Sequence, residues 1–230
     1  MHLRLSTKSE KERKMINYIR PKKEELKEIA RMCALTFIDY PICNDIKREF
    51  REPGRFLDFM CEVYYVYIKA YYKKSEFFVG EDNGRIKSFA ILIRPYSEDV
   101  SLLDYFRGGA FKLFKKASLP GILKFLNVLE TGHKPGNGIK EHSWQLESLA
   151  VDRSCRGQQL GSKMLNECII PYIKEQSIGD VPETFITFTN TEINKKFYLK
   201  NGFTEFDYTT IPMSESAVGN WSFRMNVNPV

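Results

Sequence analysis

The segment from Trp144 to Gln176 constrains what this chain can fold into more than any other. It opens on SWQLESLAV, an apolar-rich run of strand length, and passes through DRSCRGQQLGS into a stretch where Met164, Leu165, Cys168, Ile169, Tyr172 and Ile173 share one helical face. The pattern predicts a strand, a tight turn and a helix over Gly161 to Gln176, with Pro171 expected to kink the helix. A turn of this kind aims successive backbone N–H groups outward at the positive end of a helix, a common way to hold a phosphate pair. Glycine lets the backbone approach an anion with no Cβ in the way. Taken alone the turn is weak evidence, because Arg, Gly and polar residues also fill ordinary surface loops.

The rest of the chain reads as one α/β domain over residues 1–230, with 1–13 a flexible tail. Met15 to Arg20 alternates as a short strand, and Pro21 with Glu24 and Glu25 opens a helix whose apolar stripe is Leu26, Ile29, Ala30, Cys33 and Phe37. A second helix is predicted from Arg55 to Tyr72, carrying more tyrosines (Tyr64, Tyr65, Tyr67, Tyr71, Tyr72) than one core face absorbs. Partial burial with wetted hydroxyls is favoured over a binding role for them. Glu76–Gly80 and Arg85–Arg94 form a hairpin about Asn83-Gly84. Residues 97–138 read as an insert of two helices broken at Leu119-Pro120-Gly121. Strands follow at Thr184–Thr189, Phe203–Thr210 and Trp221–Val227, with a helix over Thr191–Lys200 closed by Asn201-Gly202.

Composition narrows the function classes. The 230 residues include 43% hydrophobic side chains, enough for one core. The opening MHLRLSTKSEKERK lacks the apolar run of a signal peptide and no later run suits a membrane span, so a soluble, cytoplasmic protein is expected. Five cysteines without a C-x-x-C and only three histidines argue for core thiols at Cys33, Cys61 and Cys168, and for no metal. The net charge of +6 suits a polyanionic ligand, a membrane or a nucleic acid equally. Lys112, Lys115, Lys116 and Lys124 are read as a solvated basic face, since no nucleic-acid-binding signature accompanies them.

LESLAVDRSCRGQQLGSKML resembles the coenzyme-A-binding signature of GNAT N-acyltransferases, in which a strand ending in LAV leads through Arg/Gln-x-x-Gly-x-Gly/Ala into a helix. Arg156 takes the first position and Gly161 the last, while Gln159 stands in place of the middle glycine. Downstream, TNTEINKKFYLKNGF resembles the Asn-rich turn, helix and Tyr-x-x-x-Gly-Phe ending of the same enzymes. The resemblance implies an α/β GNAT fold: a mixed central sheet of about six to seven strands flanked by helices, here with a helical insert between strands 3 and 4. It further implies acetyl-CoA as co-substrate. Backbone groups of Leu149 and Val151 would pair with the pantetheine arm in a V-shaped slot between splayed strands. The amides of Arg156, Gly157, Gln158, Gln159, Leu160, Gly161 and Ser162 would hold the pyrophosphate. Asn190 and Asn194 would steady the cofactor from the other side, and Tyr198 would be the general acid.

Transfer of an acyl group to an amine needs a proton acceptor and a proton donor. A phenol such as Tyr198 can protonate a departing thiolate; the alternative is a core tyrosine whose hydroxyl caps a carbonyl. Period-2 alternation puts Glu147, Leu149 and Val151 on one strand face and Leu146, Ser148 and Ala150 on the other. Glu147 is therefore either a base whose pKa is raised by desolvation or half of a buried salt bridge to a lysine or arginine. His142 is a second candidate base, with an exposed strand-end histidine as the favoured reading. His133 would reach the site only if the insert folds over it, and Cys155 is read as a loop residue.

The insert also resembles that of the GNAT branch containing puromycin-type antibiotic acetyltransferases. The function expected is N-acetylation of a small primary amine by direct attack, from a monomer or homodimer. Two alternatives stand beside it: an acyl-CoA-binding sensor without catalysis, favoured by Gln159, and a basic protein that binds a membrane or nucleic acid.

Overall fold

In the computed structural model, which describes residues 16–136 and 138–229, seven strands form one sheet in the order β1-β2-β3-β4-β5-β7-β6. They are β1 (Asn17–Ile19), β2 (Glu76–Asp82), β3 (Arg85–Ile93), β4 (Ser143–Val151), β5 (Glu183–Thr189), β6 (Thr204–Ile211) and β7 (Val218–Val227). The expected tail over residues 1–13 and the expected strand start at Met15 lie outside the described residues. The hairpin between β2 and β3 turns through Asn83 and Gly84, both at positive φ (52° and 73°), as the Asn-Gly pair requires.

Neighbouring strands are antiparallel except β4 and β5. A parallel pair needs a crossover. Here it is a continuous helical run: α6 (Leu160–Lys163), a π-helical stretch over Met164–Ile169, and α7 (Ile170–Gln176). Pro171, where a kink was expected, stands in the first turn of α7 directly after that π stretch, where its missing N–H is accommodated.

β3 is buried on both faces, so it reads as an unbroken apolar run. Ala90 and Leu92 pack with Met164, Leu165 and Ile169 of the crossover, while Phe89 and Ile91 pack with α1 (Leu26–Phe37) and α3 (Pro53–Tyr71). α8 (Glu192–Lys200) closes the crossover side through Tyr198. Cys33, Cys43, Cys155 and Cys168 are buried free thiols, and Cys61 is half-buried.

Alternation along β4 does not survive intact. Ser148 pairs with Ile91 and Leu146 with Leu92, which leaves Glu147 as the extra residue of a β-bulge. Leu149 consequently packs on the same side as Leu146, and Val151 approaches Gly161 of α6. Glu147 instead faces α3, the side on which Ala150 packs. The strict period-2 assignment of Glu147 with Leu149 and Val151 is therefore incorrect, because one inserted residue flips the phase.

The insert holds α4 (Leu102–Gly108), a 3-10 stretch over Ala110–Lys115, and α5 (Leu119–His133). Leu119-Pro120-Gly121 opens α5 rather than breaking a helix: Ser118 caps it by accepting from Gly121 N–H at 3.1 Å, and Pro120 fills the first turn, where no N–H is needed. Glu49 reinforces the junction by accepting from the Ser118 N–H (2.9 Å) and hydroxyl (2.7 Å). α2 (Asn44–Lys47), α3 and the inner face of α5 enclose a third core of Ile46, Phe56, Phe59, Met60, Ile122 and Phe125. The lysines read as a solvated face partly tie the insert down, with Lys124 2.9 Å from Asp45, Lys112 3.7 Å from Glu62 and Lys116 donating to the Asp58 carbonyl at 3.4 Å.

α4 crosses α3 so closely that a Cβ on Gly108 would lie 3.0 Å from the Val66 carbonyl oxygen. Gly108→Val should therefore lower unfolding stability by about 2 kcal/mol. Gly54, in the first turn of α3 with nothing within 4 Å of its Cβ position, is the control: Gly54→Ala should raise it by about 0.5 kcal/mol. Thermal or denaturant unfolding of the two variants distinguishes these signs.

Candidate active site

β4 and β5 are paired only from Ser143–Gln145 to Thr184–Ile186. Beyond that point β4 keeps only β3 and β5 keeps only β7, so the two strands part in the middle of the sheet. The Thr187 hydroxyl donates to the Leu146 carbonyl at 3.0 Å just past the last pair. The parting opens a cleft with a cavity of about 160 Å³. Glu147, Leu149, Asn190, Asn194 and Tyr198, all expected at the site, line it together. Val151 and the turn from Arg156 to Ser162 do not; they continue from β4 into α6, and the Val151 carbonyl already accepts from the Thr36 hydroxyl at 3.2 Å.

Glu147 is the most densely bonded group in the cleft, and its side chain is 2% exposed. Oε1 accepts from the Tyr67 hydroxyl (2.7 Å), the Tyr71 hydroxyl (3.2 Å) and His133 Nε2 (3.2 Å), and Oε2 accepts from Gln145 Nε2 (2.5 Å). Neither a lysine nor an arginine is its partner. His133 is the last residue of α5, and its Nδ1 donates to the Leu129 carbonyl at 2.8 Å. Carbonyl and carboxylate oxygens only accept, so both ring nitrogens carry protons in this arrangement and the ring is an imidazolium.

The titration of the pair follows from these contacts. Burial would push the Glu147 carboxyl up, but the His133 charge and hydrogen bond, with those of Tyr67 and Gln145, outweigh it and hold the carboxyl below its ordinary range. The increase expected from desolvation alone is thus reversed. Burial lowers His133, and the Glu147 charge more than compensates, raising the imidazole to about 9. Burial and the Glu147 charge together raise the phenols of Tyr67, Tyr71 and Tyr105, so all three remain neutral donors.

Tyr198 stands at the border of the core and the cleft. Its ring packs against Phe203 and Phe223 in the core, while the residue also lines the cleft; burial raises its phenol, partly offset by a hydrogen bond with Thr187. Asn190 is buried, donating to Asn220 Oδ1 at 3.0 Å. Asn194 donates to the Tyr40 hydroxyl, which links the end of α1 to α8 beside the cleft.

In the turn after β4 the Arg156 and Gln158 N–H groups, two of the amides expected at a pyrophosphate, are used within the turn itself, donating to the Arg153 and Cys155 carbonyls at 3.4 and 3.3 Å. The first helical bond runs from Lys163 N–H to the Gln159 carbonyl at 2.9 Å, so the N–H groups of Leu160, Gly161 and Ser162 precede the ladder at the positive end of the helical run. Gly157 is left-handed (φ 80°), and so is Gln159 (φ 59°, ψ 18°). Gln159 thus reaches the conformation a glycine would adopt, at a strain of about 1 kcal/mol. Gly161 serves packing: a Cβ there would lie 3.2 Å from the Phe197 ring. The amides of Leu160, Gly161 and Ser162 and the open strand edge fit a pyrophosphate followed by an extended arm.

The two histidines part company. His142, for which a base and an exposed strand-end histidine were the two readings, is exposed, with Nδ1 2.9 Å from the Tyr96 hydroxyl, and does not line the cleft. His133, expected to reach the site only under a folded-over insert, does reach it. The apolar stripe Ile122, Phe125, Leu129 and the spacing onward to His133 were the available signal, since i, i+3, i+7 and i+11 keep one face. Cys155 is buried in a 3-10 turn outside the cleft, consistent with a loop residue.

A group whose pKa is raised by folding stabilises fully below its unfolded pKa and loses that contribution as pH rises through the folded value. His133 should therefore titrate near 9 by NMR, with stability falling between about pH 6.5 and 9. In Glu147→Gln, burial acts without the opposing charge, so the imidazole should titrate below 6.5 and that decline should vanish.

Residues 122–205 match the acetyltransferase (GNAT) domain family. No curated protein matches the chain in sequence. Among solved structures, a histone acetyltransferase HPA2 and related acetyltransferase of Corynebacterium glutamicum aligns with a TM-score of 0.57 at 17% identity, over 94% of this chain and 97% of that one. An agmatine N-acetyltransferase gives 0.57 at 10% identity over 92% and 99% of the two chains. A Salmonella typhimurium protein solved with its cofactor acetyl-CoA gives 0.52 at 11% over 93% and 94%. At such identities the structural likeness speaks for the fold, and the family match speaks for the segment that includes β4, the phosphate turn and α8. Residues 122–205 therefore match the acetyltransferase (GNAT) domain, and the chain as a whole shares the fold of these solved acetyltransferases, parted strands included.

Proposed function

We propose that the chain moves an acetyl group from acetyl-CoA to the primary amine of a small molecule, by direct attack and without an acyl-enzyme. The observation that carries this reading is that one cleft, at the parting of β4 and β5, is lined by a proton-holding pair, Glu147 and His133, and by a phenol, Tyr198.

Acetyl-CoA supplies the acyl group already activated as a thioester. The amides of Leu160, Gly161 and Ser162 hold its pyrophosphate, and Leu149 with Asn190 and Asn194 guides the arm inward. An amine attacks only after losing its proton. An arriving ammonium can take the place of the imidazolium as the partner of the Glu147 carboxylate, and once His133 has released its proton its Nε2 is the acceptor for the one the amine must lose. An acceptor matched near pH 9 suits an alkylamine far better than an isolated carboxylate would. Tyr198 stays protonated throughout the physiological range and gives its proton to the leaving sulfur.

Release of free thiol from acetyl-CoA with a primary amine tests the reading; CoA binding without thiol release would make the chain a sensor instead. Tyr198→Phe should lower kcat by about 10² while leaving CoA affinity within about twofold, whereas equal loss of both would make the hydroxyl structural. The groups facing the pair are Tyr67 and Tyr71 of α3, Tyr105 of α4 near Tyr71, and Gln145 of β4, none of which changes charge below pH 9 in this account. The rate constant kcat/KM should accordingly rise about tenfold per pH unit and level near 9, and His133→Gln should abolish that rise.

A further inference from the structure

The cleft joins two cores of different character. Leu149 and Tyr198 belong to the core over the crossover, whereas Met60, Val63, Phe125 and Leu129 belong to the core shared by α2, α3 and α5. Polar groups already bonded within the fold (Thr187, Asn190, Asn194) lie on β5, the turn after it and α8, with Tyr198. Among the described residues lining the cleft, Glu147 and His133 are the only ones charged near neutral pH, and they neutralise each other.

From this lining we infer that the acceptor is a compact monoamine with an apolar body, which seats its carbon skeleton against Ile42, Met60, Val63, Phe125, Leu129 and Phe188 and its nitrogen at the Glu147–His133 pair. The inference rests on the acetyl-transfer reading above and adds the class of acceptor. One ammonium has one place to go, because it can replace the imidazolium beside Glu147. A second ammonium, or a carboxylate on the same molecule, would be desolvated among aliphatic and aromatic side chains with no partner of opposite charge, which is strongly unfavourable. Size acts in the same direction: the cavity of about 160 Å³, comparable to one that admits benzene, also takes the end of the arm, so the body seated beside it is compact. Phe188 is held in place by the His133 ring at 4.6 Å between centroids, which fixes one wall next to the nitrogen site.

Three acceptors with the same six-carbon chain test this: n-hexylamine, 1,6-diaminohexane and 6-aminohexanoate, each followed as thiol release from acetyl-CoA by the full chain. The expected result is a kcat/KM for hexylamine at least about tenfold above either charged analogue. Activity toward diaminohexane or aminohexanoate equal to or above that toward hexylamine would overturn the inference while leaving acetyl transfer intact. Silence toward all three with acetyl-CoA bound would overturn the acetyl-transfer reading, and the inference with it. Val63→Asp, checked for an unchanged melting transition, should narrow the gap between diaminohexane and hexylamine by about tenfold; an unchanged ratio in the folded variant would also count against the chamber.

Discussion

The extra residue in β4 is the constraint on which the site depends. Were β4 regular, Glu147 would share a face with Leu149 and Val151 and project toward the crossover helix. The bulge sends its carboxylate to α3 and the insert instead, while Leu149 and Val151 keep packing on the crossover. Just before the bulge, after Gln145, β4 loses its pairing with β5. A carboxylate and an open strand edge are thereby brought to the same place by local irregularities in one strand.

A carboxylate that is 2% exposed is tolerable only if its lone pairs and charge are answered. Four side chains do so, and they come from three places: Tyr67 and Tyr71 from α3, His133 from α5, Gln145 from β4 itself. The insert is consequently part of the site's electrostatics and not an ornament on the fold. Its anchoring, through Glu49 at the start of α5 and Lys124 with Asp45, sets where His133 stands. Loss of one partner would leave the others holding an unanswered charge, which is why the pair and its tyrosines should respond to mutation as a unit.

Much of this was legible in the sequence because it rests on short-range pattern. The hairpin follows from Asn83-Gly84, the crossover from Met164 through Ile173, and the tight turn between strand and helix from Arg156 to Gly161, each of which needs only neighbours along the chain. What was not legible depends on long-range geometry. The bulge leaves no mark in SWQLESLAV, whose alternation looks regular, so the face of Glu147 was misassigned. The partnership of His133 with Glu147 spans 14 residues and depends on how α5 is seated on α2 and α3, which no periodicity encodes. The direction of the Glu147 shift was lost with it: desolvation was visible from the apolar strand, but the opposing cation was not. Gln159 shows the converse case: it departs from the family pattern and still takes the left-handed conformation open to a glycine.

The central claim is that the parting of β4 from β5 presents an acyl group to the Glu147–His133 pair. A crystal structure of the chain with acetyl-CoA bound tests it most directly. The expected result is a pyrophosphate on the amides of Leu160 to Ser162, the arm along β4 past Leu149, and the sulfur at Tyr198 with the acetyl group facing His133 and Glu147. A cofactor whose acetyl end lies outside this cleft, or separated from the pair by the core, would contradict the account.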